Sequence, residues 1–529
     1  MLDVAIVLRG ALLEARLPLN LTARLPTEVM ADIFWRIPGS AVDDFEELLE
    51  EFPECAEQSA LIQAADVLPL THVCRRWRQI AMDMRVLWTT VDDRKRLPFE
   101  IHVQRSRGLP LYVIIDGKPT KNILSGLRKH RDSIRQLHWV AARCFGYDFR
   151  TDLELPLPNL QTATLFGTRT YKDEKLNLFG NAGTSSLQRL SFGSVHWLPT
   201  NHFPHLTQLH LSLWTGNPYP SVFLAFLRRC PNLVDVFITS LFADEPELIP
   251  DPDTDFVELP RLRRLSLKGF ARNEILHVLS HIRAPSDTAL AVLEGFLYPD
   301  ESMDIGDEDA RVISRFSSIS LCTTAVIRMD HAGTYSMAFL RQTAGVYFEN
   351  LLAESRSISL PLPLGQVQEM WLVDDPMVPP GSHSQAALNT DVFRRMSAVR
   401  RLVITVGFAH AVYLAVRALD EDQRPSITSF EILVNTPDLP GRFSTCIKSL
   451  IEMGVPHPII TIPTGLPSAR QRVKDMDTID STKCITCEQL PIPALPKVCT
   501  EHSDFQPSWK SLVAPVCKLG DGMTVSNRI

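Results

Sequence analysis

The sequence predicts a mixed α/β protein: an N-terminal helical module, then an irregular solenoid of alternating strands and helices, then a proline-rich tail. Three observations predict it. Amphipathic helical patterns lie before residue 95, a strand phrase recurs through the middle at repeat-like intervals, and prolines punctuate the C-terminal end. The boundaries drawn from these signals are residues 20–95, 96–450 and 451–529.

The length of 529 residues exceeds one ordinary domain, although a repeat array can fill most of it as a single body. Hydrophobic content of 45% with 22% charged residues is that of a folded protein. Net charge is -7 and the pI about 6.1, with no domain-scale cluster of Lys and Arg. Nucleic acid as the main partner is therefore not expected, because affinity for phosphate needs clustered cations. Apolar stretches within residues 1–19 are interrupted by Asp3, Arg9, Glu14 and Arg16, so neither a secretory signal nor a membrane span is expected. Scattered over this length, the 10 cysteines suit reduced thiols in the cytoplasm or nucleus.

In the first module Leu25-Pro26 opens a helix, with proline where the amide has no intrahelical partner and Glu28 in the first turn. Val29, Ile33 and Ile37 then share one face at i, i+4, i+8 spacing. An insert over residues 38–68 carries the acidic run Asp43, Asp44, Glu46, Glu47, Glu50 and Glu51. Its Phe45, Leu48, Leu49 and Phe52 keep a helical spacing, which predicts an extra amphipathic helix. Beyond it Val73, Cys74, Trp77, Ile80 and Ala81 form one stripe, opposite Arg75, Arg76, Arg78 and Gln79, and Trp88 caps the apolar cluster. A module this small buries little area by itself, which implies a partner.

The Leu25-Pro26 opening, the Val73-Cys74-Arg75-Arg76-Trp77 centre and the Leu87-Trp88 closure, in that order, resemble the F-box. The long insert stands where an F-box has a short turn. In Cys74-Arg75-Arg76-Trp77-Arg78 the chain is similar to F-box-like proteins of mushroom-forming fungi. The resemblance implies that Leu25, Pro26, Val29, Ile33, Val73, Cys74 and Trp77 contact a Skp-type adaptor or hold the helices that do. It implies further a cullin scaffold, a RING subunit and the role of substrate receptor in an SCF-type ubiquitin ligase. A repeat scaffold whose helical segment is only an N-terminal cap, without a ligase role, is the alternative.

Downstream, Pro158-Asn159-Leu160, Pro204-His205-Leu206, Pro231-Asn232-Leu233 and Pro260-Arg261-Leu262 each open a phrase of apolar, x, x, apolar, x, apolar, the strand signature of leucine-rich repeats. Looser copies stand at Ile134/Leu137/Trp139, Leu187/Leu190/Phe192, Val367/Met370/Leu372, Val399/Leu402/Ile404 and Ile427/Phe430/Ile432. From Ile134 through Leu160, Leu187, Leu206, Leu233 and Leu262 the steps are 26, 27, 19, 27 and 29 residues. Helical spacing recurs between strands at Val222/Phe223/Phe226/Leu227, Ile275/Leu276/Leu279/Ile282 and Val412/Val416/Leu419. No Asn or Cys follows the phrase at its usual place, so the array is degenerate, and residues 285–360 show no copy.

No phosphate loop, nucleophile elbow, His-Glu-x-x-His or kinase signature is present, so no intrinsic catalysis is expected. Within the proline-rich tail, Cys484, Cys487, Cys499 and His502 have the pairwise spacing of a structural zinc site, although the glycine and aromatic residues of a zinc knuckle are missing. Acidic stretches at residues 244–255 and 300–309 read as solvated loops, or as a field for a basic ligand if they cluster.

Overall fold

A computed structural model of the chain describes residues 25–38, 64–95, 97–140, 150–166, 177–180, 186–193, 197–215, 220–242, 256–269, 272–293, 321–329, 335–351, 364–374, 390–436, 443–463, 466–474, 483–487, 493 and 495–500. The helix expected near residues 45–52, the two acidic stretches and His502 lie outside them. The chain divides into two compact units, residues 1–206 and 207–529.

The first unit begins with helices α1 (Thr27–Arg36), α2 (Ala64–Val73) and α3 (Arg75–Asp83), so the second half of the module turns helical inside the expected insert, at Ala64. A 3-10 turn at Arg85–Trp88 then leads directly into β1 (Thr90–Asp92). Helix α4 (Phe99–Ser106), β2 (Leu111–Asp116), α5 (Lys121–Lys129), β3 (Ile134–Val140), α6 (Arg150–Leu153), β4 (Thr162–Phe166) and β5 (Arg189–Gly193) follow. Strands β1 to β5 pair in chain order and all in parallel. Their register explains the phrase: Leu137, Ala163 and Leu190 lie side by side, as do Trp139, Leu165 and Phe192, all buried. Parallel strands need a crossover on one face, and the apolar positions repeat because each must meet its neighbour's.

The prolines of the phrase have a local cause. Leu160 N–H donates to Leu157 C=O at 3.1 Å, Leu206 to Phe203 at 3.4 Å, Leu233 to Cys230 at 3.4 Å and Leu262 to Leu259 at 3.1 Å. Each bond closes a four-residue turn whose second residue is the proline, the position where its fixed φ is favoured.

In the second unit β6 (Gln208–Thr215), α7 (Pro220–Arg228), β7 (Asp235–Phe242), β8 (Val257–Glu258), β9 (Arg264–Lys268), α8 (Arg272–His281), β10 (Ile282–Arg283) and β11 (Ala289–Leu293) continue the alternation. Strands β6, β7, β9 and β11 pair in parallel, while β8 and β10 form a small pair of their own. Residues 285–360, where no copy was expected, hold β11 and then β12 (Thr324–Met329), β13 (Tyr335–Leu340) and β14 (Gly345–Leu351). The last three form an antiparallel meander, with β14 parallel to β11. The meander follows a two-residue period and lacks the turn-and-crossover spacing. Two residues before β11 the polar Asp287 occupies the first apolar slot.

Strand β15 (Glu369–Asp374) returns to the parallel pattern against β12, followed by α9 (Thr390–Arg395), β16 (Arg401–Thr405), α10 (Ala409–Arg417), β17 (Ser429–Leu433), α11 (Phe443–Glu452), β18 (Ile459–Pro463), α12 (Pro467–Lys474), β19 (Lys483–Cys487) and the short α13 (Lys497–Thr500). Strands β15 to β19 pair in order, all in parallel. The segment after residue 451, expected as poorly packed extended chain, thus carries two strands of the sheet. Its prolines end or start elements: Pro463 closes β18 and Pro467 opens α12, where a missing N–H is harmless.

One loose copy does end on asparagine. Asn435, three residues past Ile432, donates through Nδ2 to the Asp374 carbonyl at 3.2 Å and to its carboxylate at 2.8 Å. Gly407 lies against that carboxylate, and a Cβ there would fall 1.8 Å from Asp374 Oδ2.

Candidate functional site: an outward apolar face on the N-terminal helices

The core of the N-terminal module is a closed cluster: Met30 and Phe34 of α1, Val67 and Leu70 of α2, Ile80 and Ala81 of α3, with Leu87 and Trp88. Phe34 meets the ring of Trp77 edge-on at 5.1 Å, a geometry the ring quadrupoles favour. Trp88 is fully buried and donates its indole N–H to the Ala81 carbonyl at 2.9 Å. Beneath it, His102 Nδ1 lies 3.3 Å from the Trp88 carbonyl, and burial holds this imidazole down at about 4. The module is thereby fastened to helix α4, which carries His102.

The stripe read from the sequence is not the one that enters this core. Met30 and Phe34 turn inward. Val29 and Ile33 of α1 and Ile37 just past it, one position around the same arc, stay 43%, 37% and 44% exposed. A 3.6-residue period defines an apolar arc wider than one contact line, and only half of it is used internally. Trp35 is exposed as well, on a different side of the helix, and Val73 is 59% exposed at the end of α2.

The second half is also rearranged relative to its expected stripe. Helix α3 starts at Arg75, and Cys74 is its N-cap, extended at φ -158° and ψ 172°, with Sγ accepting from Trp77 N–H at 3.4 Å. Val73 and Cys74 are therefore exposed at the α2–α3 junction and are not part of a buried stripe. Trp77 is half-buried against Phe34, Leu25 packs on the cluster's edge, and Pro26 is exposed as the N-cap of α1. Two of the arginines expected opposite the apolar stripe bond to backbone: Arg76 donates to the Leu25 carbonyl, and Arg78 Nε donates to the Thr71 carbonyl at 2.8 Å. The first of these bonds ties the start of α3 to the start of α1. An Arg-Arg-x-Arg run beside two helix termini was the available signal for it.

Of the four zinc candidates His502 lies outside the described residues, and the three cysteines are placed as follows. Cys484 and Cys487, three apart on strand β19, point to opposite faces, and Cys499 is buried in an apolar cluster of the second unit. Among the described residues no group of three or more His, Cys, Asp or Glu could hold a metal ion. No helix among them is long and apolar enough to cross a membrane.

A closed minimal core carrying an apolar ridge that stays exposed among the described residues defines a small helical protein-interaction module. Residues 22–94 match the family model described as F-box-like, and the chain carries an F-box-like domain there. No curated protein matches the chain.

Proposed function

We propose that the chain is the substrate receptor of an SCF-type cullin–RING ubiquitin ligase, with Val29, Ile33 and Ile37, the Val73–Cys74 junction, and Leu25 and Pro26 at the start of α1 forming the adaptor-binding face. The single observation that supports this most is the outward ridge. An F-box-like core closes without Val29, Ile33 and Ile37, so these side chains are available to another polypeptide. Trp77 and the arginine bonds hold the two halves in register behind it. The strand-and-helix body downstream would hold a protein target in the manner of leucine-rich repeats. The contribution to ubiquitin transfer is then proximity, raising the effective concentration of a target lysine, with no bond chemistry by this chain. Such a receptor works in the cytoplasm or nucleus, where its thiols stay reduced. Co-expression of the full chain with a Skp-type adaptor tests the reading: a stable complex is expected, weakened by Val29→Asp with Ile33→Asp. An intact chain that fails to bind adaptor overturns it.

A further inference from the structure

The last turn of α8 in the second unit carries two histidines four residues apart, His277 and His281. Four residues is close to one helical turn, so both side chains stand on the same face. Their rings stack with centroids 4.5 Å apart and planes 30° from parallel. Both are almost wholly out of water, His277 at 3% and His281 at 2% exposure, and Ile275, Val278 and Leu279 of the same helix are buried with them.

The hydrogen bonds around the pair decide which nitrogens are left over. His281 Nδ1 lies 2.8 Å from the His277 carbonyl, which can only accept, so Nδ1 bears the proton and donates. Ser280 Oγ donates to that same carbonyl at 2.9 Å and lies 2.9 Å from His281 Nδ1 as a second acceptor. Neutral His281 therefore carries its lone pair on Nε2. A metal-ligating histidine is held in this way, with its other ring N–H on a backbone carbonyl. His277 Nε2, for its part, is buried with no hydrogen-bond partner, an arrangement that costs stability unless something binds there.

A cation is the ligand that suits this turn. The last carbonyls of a helix lack intrahelical donors and carry the negative end of its dipole, and the two histidines occupy that end of α8. Imidazole suits zinc, copper and nickel, whereas magnesium and calcium seek oxygen ligands. A zinc ion holds imidazole nitrogens at about 2.0–2.1 Å, which sets two of them about 3.4 Å apart in tetrahedral coordination, within reach of rings centred 4.5 Å apart. Two protein ligands leave the remaining positions to water, so the ion would be exchangeable.

We propose that His277 and His281 form a site for a divalent transition-metal ion of the zinc class, bound through both Nε2 atoms at the end of α8, with Ser280 and the His277 carbonyl positioning His281. The site is independent of the ligase reading. The test uses the full chain, stripped of metal by a chelator, with Zn2+ alone as the probe. It is compared with His277→Gln, with His281→Gln, and with a chain carrying Cys484→Ser and Cys487→Ser. Calorimetric titration should show saturable Zn2+ uptake that the cysteine variant keeps. Loss of a mere outer hydrogen-bond partner costs about 10–100-fold in metal affinity, so either histidine variant should lose at least about tenfold. Zn2+ should raise the thermal midpoint of the unmodified chain and of the cysteine variant, and leave the histidine variants unmoved. X-ray absorption at the zinc edge of the unmodified chain needs no variant to fold, and should read two imidazoles with oxygen and no sulfur. Sulfur at the zinc edge, affinity that survives both histidine substitutions, or no uptake of Zn2+ by the unmodified chain overturns the proposal.

Discussion

Replacing Val29 and Ile33 together by aspartate separates an interface from a core on one helix. Complete burial of such a side chain contributes about 1.5–3 kcal/mol. Val29 and Ile33 keep 43% and 37% of their surface in water, so covering both contributes about 1.5 kcal/mol to a complex, roughly tenfold in affinity. Aspartate adds to that loss, because a carboxylate trapped unpaired under a partner costs several kcal/mol more. The expected outcome is a fall of at least about 100-fold in affinity for a Skp-type adaptor, read by titration calorimetry, with the thermal midpoint of the chain displaced by only a few degrees. Neither residue belongs to the cluster of Met30 and Phe34, and surface substitutions away from a core change stability by about 0.5 kcal/mol. A midpoint that collapses, or adaptor affinity that survives, refutes the reasoning.

Phe34→Ala should do the converse, losing about 3–5 kcal/mol of stability in the module by hydrogen exchange, because its ring is fully buried. Arg264→Leu leaves Asp235, 2% exposed and forked to it at 2.7 Å, as an unpaired buried charge, and should lower unfolding free energy by about 3–5 kcal/mol. Adding Asp235→Leu should restore most of it. Gly407→Ala drives a methyl into the Asp374 carboxylate and should destabilise the second unit by about 1–3 kcal/mol, seen in denaturant titration. His102 and His138 are each held at about 4 by burial, against 6.5 when unfolded. Within that window the unfolded chain binds more protons than the folded one, so stability should fall as pH drops from 6.5 toward 4. Each contributes a slope approaching about 1.4 kcal/mol per pH unit, and His138→Gln should flatten the pH profile.

The strands carrying the phrase were legible because two constraints coincide there. Proline at the second turn position fixes the entry, and apolar residues at the first, fourth and sixth places meet their neighbours in register, as Leu209, Val236, Leu265 and Leu290 do. The meander of β12 to β14 was not legible, since its strands follow a two-residue period. The covered second face was hidden for a related reason. Trp371 or Val403 between two core residues reads only as a hydrophobic strand, and nothing local says that Val498 and Cys499 will pack against it. On α1, periodicity gave the apolar arc containing Val29 and Ile33 but not its division. That Met30 and Phe34 take the core depends on the distant Trp77 and Trp88, which no local window contains.

The most direct test of the whole account is hydrogen–deuterium exchange on the full chain with and without purified Skp-type adaptor. The account predicts a complex in which protection rises over residues 27–37 and around the Val73–Cys74 junction, leaving β15 to β17 unchanged. Protection confined to the sheet strands, or no complex at all, would contradict it.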